Sequence, residues 1–112
     1  MKILDTPIEK NDLLKSEIVF DGPMIKAVVD VDKNIVGIDA NMHADIEQAL
    51  LKEGSMQESL WGINLYPEDD SDDFIEFDSM VNIRPRQGNR SRDVEDETTR
   101  EKIRKVVSEW IK

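Results

Sequence analysis

The sequence contains no cysteine, one histidine, one tyrosine and no long apolar run. The missing cysteines exclude a disulfide scaffold and leave the redox compartment unreadable. With a single histidine and no thiol, a structural zinc site is excluded in practice, and no metal or other cofactor is implied. No segment approaches the ~20 apolar residues that span a bilayer. The opening Met1-Lys-Ile-Leu-Asp-Thr-Pro7 has no stretch apolar enough for a secretory signal. Glycine-rich phosphate loops, nucleophile elbows and zincin motifs are all missing. What survives is the expectation of a soluble, cytoplasmic domain. At 112 residues, a chain forms one domain and buries roughly 65% of its unfolded surface.

The charge that is present is unevenly placed. The formal net charge is −10. Residues 1–81 hold six Lys, no Arg and 19 acids, a net of −13, whereas residues 82–112 hold six Arg, three Lys and six acids, a net of +3. Glu68, Asp69, Asp70, Asp72, Asp73, Glu76 and Asp78 form an acidic run without a base, and Arg84, Arg86, Arg90 and Arg92 follow in a segment without an acid. The overall acidity argues against non-specific nucleic-acid or membrane binding, because the far field repels polyanions. Screening limits that repulsion to about 8–10 Å, so a local arginine cluster can still hold a compact anion.

Periodicity gives the elements. Thr6-Pro7-Ile8-Glu9 predicts a helix start with a capping box, running to Ser16. Asp21-Gly22-Pro23 breaks the chain. Residues 24–32 predict a strand with Ile25, Ala27, Val29 and Val31 on one face, and residues 35–38 return as a second. Asp39 or Asn41 is placed to cap a helix carrying Met42, Ile46, Ala49 and Leu50, with Gly54 at its end. Ser55-Met-Gln-Glu58 opens a single turn. Residues 61–66 predict a third strand and residues 74–84 a longer fourth one, stopped by Pro85. Ile103, Val106, Val107, Trp110 and Ile111 form the stripe of a last helix, capped by Asp93 or Asp96.

The expected fold class is therefore α+β, in the order α-β-β-α-β-β-α. The chain is expected to be one domain over residues 1–112, with a helical N-terminal segment to residue 23. Its four-stranded, mainly antiparallel sheet has helices on one face. The other face displays Lys26, Asp30, Asp32, Asn64, Tyr66, Glu76, Asp78, Asn82 and Arg84. It is either wet or covered by a partner.

Few motifs carry chemistry. Asp30-x-Asp32-x-Asn34 imitates half of a calcium loop, but Ile35 stands where glycine is needed and Asn41 where a bidentate Glu is needed. It reads as a polar hairpin turn. Asn89-Arg90-Ser91 fits a glycosylation acceptor, which means little without a secretory signal. His43 has Asp45 and Glu47 nearby on its helix and is a candidate acid or base, with Asp78 a second candidate. Arg84, Arg86, Arg90 and Arg92 offer planar forks that grip phosphate or carboxylate through paired hydrogen bonds. Their loop runs into a helix N-terminus, where backbone N–H groups favour anions. The competing reading is that these arginines pair with the chain's own acids. Trp61 and Trp110 read as core, whereas Asn64 and Tyr66 alternate onto the polar face.

The strings His43-Ala-Asp45, Gly54-Ser55, Gln57, Leu60-Trp-Gly-Ile-Asn-Leu-Tyr-Pro67, Glu76-Phe-Asp-Ser-Met80, Asn82-Ile-Arg-Pro85, Gln87-Gly-Asn-Arg-Ser-Arg92 and Val94-Glu-Asp96 together resemble a family of small prokaryotic proteins known only as a domain of unknown function, DUF5674. The resemblance spans residues 24 to 112 and leaves the segment to Pro23 outside. It implies no reaction, cofactor or partner.

Three functions compete. The first is a non-enzymatic binding module. In it Arg84, Arg86, Arg90 and Arg92, with Asn82 and Asn89, hold a small anionic ligand, phosphorylated or carboxylate, and Asn64, Tyr66 and Asp78 add specificity. The second is a metal-independent phosphoester hydrolase using His43 or Asp78 beside the arginines. The third is an interaction protein that docks a protein partner or forms a homodimer, acidic loop against basic loop.

Overall fold

Across residues 25–30 every side chain but one falls below the exposure of a surface strand, and this sets the architecture. The computed structural model describes the backbone of residues 1–112 and every side chain except that of Asp72. In chain order the elements are β1 (Lys2–Ile3), α1 (Lys10–Lys15), β2 (Ile25–Asp30), β3 (Ile35–Ile38), α2 (His43–Lys52), β4 (Leu60–Leu65), β5 (Ile75–Glu76) and α3 (Glu97–Trp110). Short 3-10 turns occupy Gln57–Ser59, Met80–Asn82 and Pro85–Gln87. The fold class is α+β, as expected. The sheet has five strands in the order β1-β3-β2-β4-β5, and its pairs are antiparallel.

Two faces of the sheet are covered, which corrects the expectation of helices on one side only. On the first face Ile25, Ala27, Val29, Val36, Ile38, Trp61, Ile63 and Leu65 meet Leu13 of α1 and Ile103, Val106 and Val107 of α3. On the second, Val28 and Leu60 meet Ile46 and Leu50 of α2. The physical reason is Val28. It is an apolar residue on the face that was assigned to water, and it pairs in register with Gly37 on one side and Gly62 on the other. Two glycines beside a valine leave a shallow trough. A Cβ on Gly37 would stand 2.7 Å from Ile46 Cγ2, and one on Gly62 would stand 2.6 Å from Ser79 Cβ and Oγ. The missing side chains let α2 and the turn after Ser79 approach the backbone.

Other expectations shift for local reasons. β1 was not foreseen; two residues carry too little pattern, yet they pair with β3 and make a fifth strand. α1 starts at Lys10 instead of Pro7, and its N-cap is Glu9, without a side-chain cap bond, instead of Thr6. Ile8 is drawn into a backbone bridge with Ile111, its N–H donating to Trp110 O (2.8 Å) and its carbonyl accepting from Lys112 N–H (2.8 Å). This bridge ties the first segment to the end of α3. α2 has Met42 at its N-cap without a side-chain bond, whereas Asp39 accepts from Val19 N–H (2.9 Å). Asp96 caps α3 by accepting from Thr99 N–H (3.1 Å). The strand expected over 74–84 stops at Glu76. No helix among the described residues is long and apolar enough to cross a membrane.

Gly62→Ala is expected to lower the unfolding free energy by about 1–3 kcal/mol, as overpacking does in a filled site. The urea midpoint reads this. An unchanged or raised midpoint contradicts the close approach of Ser79 and Val81.

Candidate ligand-binding cleft

β5 ends where its ladder on β4 should continue. Asn64 faces Glu76 in register, so two pairs further along the ladder would set Asp78 against Gly62. Instead the chain leaves the sheet. Ser79 Oγ caps a 3-10 turn by accepting from Val81 N–H (3.2 Å). The side chain of Asn82 then takes the vacated place. Gly62 N–H donates to Asn82 Oδ1 (2.8 Å), and Asn82 Nδ2 donates to Gly62 O (2.9 Å) and to Arg92 O (3.0 Å). A carboxamide has the donor and acceptor of a peptide group, so it completes the ladder. Asn89 repeats the device one turn later. Its Nδ2 donates to the carbonyls of Asn82 (2.7 Å), Asp93 (2.7 Å) and Ser91 (3.2 Å), and its Oδ1 accepts from Glu95 N–H (2.9 Å). Both side chains are buried. Expected as ligand contacts, Asn82 and Asn89 are turned inward and hold the loop together.

The arginines are divided in the same way. Arg84 donates to the carbonyls of Gln57 and Leu60 and stacks over Trp61, with its guanidinium 4.2 Å from the ring centroid. Burial lowers its pKa, opposed by the charge of Glu47. Arg84, Arg86 and Gln87 line a separate, open hollow with Met56 and Ile83. Arg90 and Ser91 do present successive backbone N–H groups to an anion, but the anion is Glu95. Its carboxylate accepts from Arg90 N–H (2.8 Å) and Ser91 N–H (2.9 Å). The Ser91 hydroxyl and these amides hold the Glu95 carboxyl below its ordinary pKa. The chain thus supplies its own occupant for the loop that was expected to take a foreign one.

Only Arg92 reaches a hollow shared with the other candidates. A cleft of about 320 Å³ opens on the second sheet face, between β4, α2 and the turn after Ser79. Its lining brings together His43, Asn64, Tyr66, Asp78 and Arg92 of the candidate residues, and adds Asp21, Lys26, Glu76, Ser79 and the methionines 24, 42 and 80. Arg92 Nε donates to Asp78 Oδ1 (2.6 Å). Both side chains are about half exposed, so this pair orients the groups more than it stabilises the fold. Asn64 Nδ2 donates to Glu76 Oε1 (2.8 Å) and Asp78 O (3.2 Å). Tyr66 OH donates to the same Glu76 Oε1 (3.2 Å). Burial, then the Glu76 carboxylate, raises the Tyr66 pKa and keeps its hydroxyl a donor. Asn64 Oδ1 is buried and has no hydrogen-bond partner.

His43 stands at the first turn of α2 and lines this cleft. Neither Asp45 nor Glu47 orients it. Its Nε2 lies 2.7 Å from Ile63 O, and since a carbonyl only accepts, Nε2 carries the proton. Burial lowers its pKa, and the Ile63 carbonyl opposes this less strongly. Its imidazole is therefore neutral near pH 7. The Asp30 turn is structural, as its sequence suggested. Asp30 Oδ1 accepts from Asp32 N–H (3.0 Å) and Lys33 N–H (2.9 Å), and Oδ2 accepts from Ser55 OH (2.6 Å). Among the described residues no group of acids and histidine is set to hold a metal.

The sequence reading missed Lys26 and Glu76 as site residues, although it placed both on this face. It also missed the methionines, whose signal was available only in hindsight: three of the chain's five line the cleft.

The chain belongs to a family described as protein of unknown function (DUF5674), whose model matches residues 2–110. The match takes in the N-terminal segment that the resemblance left out, and the structure gives the reason: β1 is a strand of the sheet, and Ile8 is bridged to Ile111. No curated protein and no solved structure matches the chain.

Asn82→Ala is expected to destabilise the fold by about 3 kcal/mol or more, because it strands the N–H and carbonyl of Gly62 together. A loss below about 1 kcal/mol in urea unfolding contradicts the ladder role. His43 gives a pH signature. Its pKa in the fold lies below the ordinary 6.5, so between the two values the unfolded chain binds a proton that the folded chain does not. Stability must fall as pH drops through that window. His43→Gln is expected to flatten the fall in Tm that begins below about pH 6.5; an unchanged slope contradicts a neutral, buried imidazole.

Proposed function

We propose that this chain, as a member of that family, is a non-enzymatic binding module whose ligand is a small polar molecule seated in the cleft between β4, α2 and the turn after Ser79. The observation that carries this reading is one pre-built hollow on whose lining the candidates His43, Asn64, Tyr66, Asp78 and Arg92 come together. The cleft volume, about 320 Å³, lies at the small end of ligand sites, which run from roughly 300 to 1,000 Å³. Its surroundings are pre-built. Asn64 is clamped by Glu76 and Asp78, Asp78 is held by Arg92, and the turn is locked to β4 by Asn82. A site held in place before binding loses less order when the ligand arrives.

The expected anion grip by the arginine loop is weakened, since Arg84 is engaged by carbonyls, Arg92 by Asp78 and the loop amides by Glu95, which leaves it Arg86 and Arg90. The hydrolase reading keeps one support, that His43, Asp78 and Arg92 line a single cleft. Against it, Ser79 Oγ caps a turn instead of standing free as a nucleophile. The Nε2–H bond of His43 to the main chain leaves Nδ1 as the ring's basic nitrogen and so does not separate the two readings.

A thermal-shift panel of cationic, anionic, zwitterionic and neutral metabolites tests the proposal on the wild type and on Ala44→Trp, which fills the cleft from the exposed side of α2. At ligand concentrations about 100-fold above Kd, a binder stabilises by about 2.7 kcal/mol, a rise of several degrees in Tm. The expected result is a rise for one class in the wild type and none in Ala44→Trp. No rise for any class, or an equal rise in both proteins, contradicts the cleft as the site. With p-nitrophenyl phosphate the rate is expected to equal that of buffer; turnover lost in His43→Gln would establish the hydrolase instead.

A further inference from the structure

The charged groups around the cleft do not balance evenly. Lys26 sits 3.5 Å from Asp21, and its Nζ also donates to Asn41 O (2.8 Å). Arg92 is held by Asp78 at 2.6 Å. Among the described residues this leaves Glu76 as the one charged side chain of the lining without an ion pair. Glu76 is bonded through Oε1 to Asn64 Nδ2, and Asn64 carries the orphaned acceptor. The Asn64 side chain is not a surface amide free to turn to water: the residue is only 3% exposed. Its orientation is fixed, because Nδ2 must face the Glu76 carboxylate and the Asp78 carbonyl, and Oδ1 therefore faces away from them.

An uncompensated carboxylate on the cleft lining is a demand for a cationic donor. A carboxylate or phosphate ligand would bring two acceptors together and add charge to Glu76. A primary ammonium, with three donors and one positive charge, answers it. The neutral imidazole of His43 on the same lining does not repel it. Met24, Met42 and Met80 supply polarizable, adaptable walls for an apolar stem behind the head. The chain's net charge of −10 raises the local concentration of cations over that of anions.

We infer that the cleft recognises a small molecule carrying a primary ammonium on a short apolar stem, with the Glu76 carboxylate as its acceptor. This rests on the cleft being the ligand site, as proposed above, and names the class of its ligand.

The test is a titration of the uniformly 15N-labelled full chain, followed in 1H–15N spectra, with three matched probes at constant ionic strength: n-butylammonium chloride, sodium butyrate and n-butanol. Butylammonium is expected to shift the Asn64 side-chain amide and the backbone amides of Tyr66, Glu76 and Met80, saturating in the millimolar range. Butyrate and butanol are expected to leave these resonances in place at the same concentrations. In Glu76→Gln, whose affected side chain is exposed, the butylammonium affinity is expected to fall roughly tenfold or more, the loss of one charge-assisted hydrogen bond. Butyrate shifting the cleft in place of butylammonium overturns the ammonium assignment and leaves the cleft standing. Butanol shifting it as strongly as butylammonium, or Glu76→Gln binding as tightly as the wild type, overturns the assignment likewise. No shift in the cleft with any of the three probes removes both the ligand class and the site. The comparison of probes needs no variant, so it decides the matter even if Glu76→Gln fails to fold.

Discussion

The side-chain amide of Asn82 closing on the peptide groups of Gly62 is the contact on which the rest of this molecule turns. A strand edge with unmet N–H and C=O groups is unstable when buried and sticky when exposed. Here the ladder that should satisfy it runs out after Glu76, because the chain must leave the sheet to build the turn capped by Ser79. Asn82 supplies the missing peptide-like pair from outside the strand. Three consequences follow from that substitution. The turn is pressed onto Gly62, where only a residue without Cβ fits. Arg92 O, shared by Ser79 N–H and Asn82 Nδ2, anchors the far end of the arginine loop. The space between the turn, α2 and β4 is held open as a cleft.

The same economy governs the charges. A chain with 25 acids and 15 bases invites the view that its clustered arginines reach out for a foreign anion. Two of the four forks are instead matched inside the chain, to carbonyls for Arg84 and to Asp78 for Arg92, as Arg100 of α3 is to Asp93. Glu95 occupies the amides that a phosphate would want. What the pairing leaves over is acidic: Glu76, next to a buried carbonyl-type oxygen with nothing to accept from. The proposed selectivity of the cleft is thus set less by the groups the sequence displays most loudly than by the residue of charge after they have paired.

Much of this was legible in the residues. The apolar stripe of α3 is long and its Asp96 cap is a strong signal, so that helix was readable almost to its ends. Strict alternation placed Asn64, Tyr66, Glu76 and Asp78 on one face, and four of the residues that line the cleft follow from that parity alone. Gly54 ends α2 with a positive φ, as a glycine after a helix should. The rest failed for identifiable reasons. Residues 74–84 alternate like a strand, but alternation records which face a side chain takes, and it is blind to whether a neighbouring strand has donors left to pair. Val28 breaks the pattern by a single residue, and its meaning depends on Gly37 and Gly62 lying beside it across the ladder, a relation that no local window contains. Asn82 and Asn89 read as ligand contacts because an asparagine in a basic loop looks the same in sequence whether it serves a ligand or the main chain. β1 was too short to carry a period at all.

The most direct test of the account is the amide exchange rate of Gly62, measured by hydrogen–deuterium exchange under native conditions. If Asn82 completes the ladder, the Gly62 amide exchanges as slowly as its strand neighbours Trp61 and Ile63, through global unfolding alone. If instead it exchanges orders of magnitude faster than those neighbours, as a free edge amide does, the side-chain pair is not formed. The turn, the cleft it walls and the function placed there would then lose their common support.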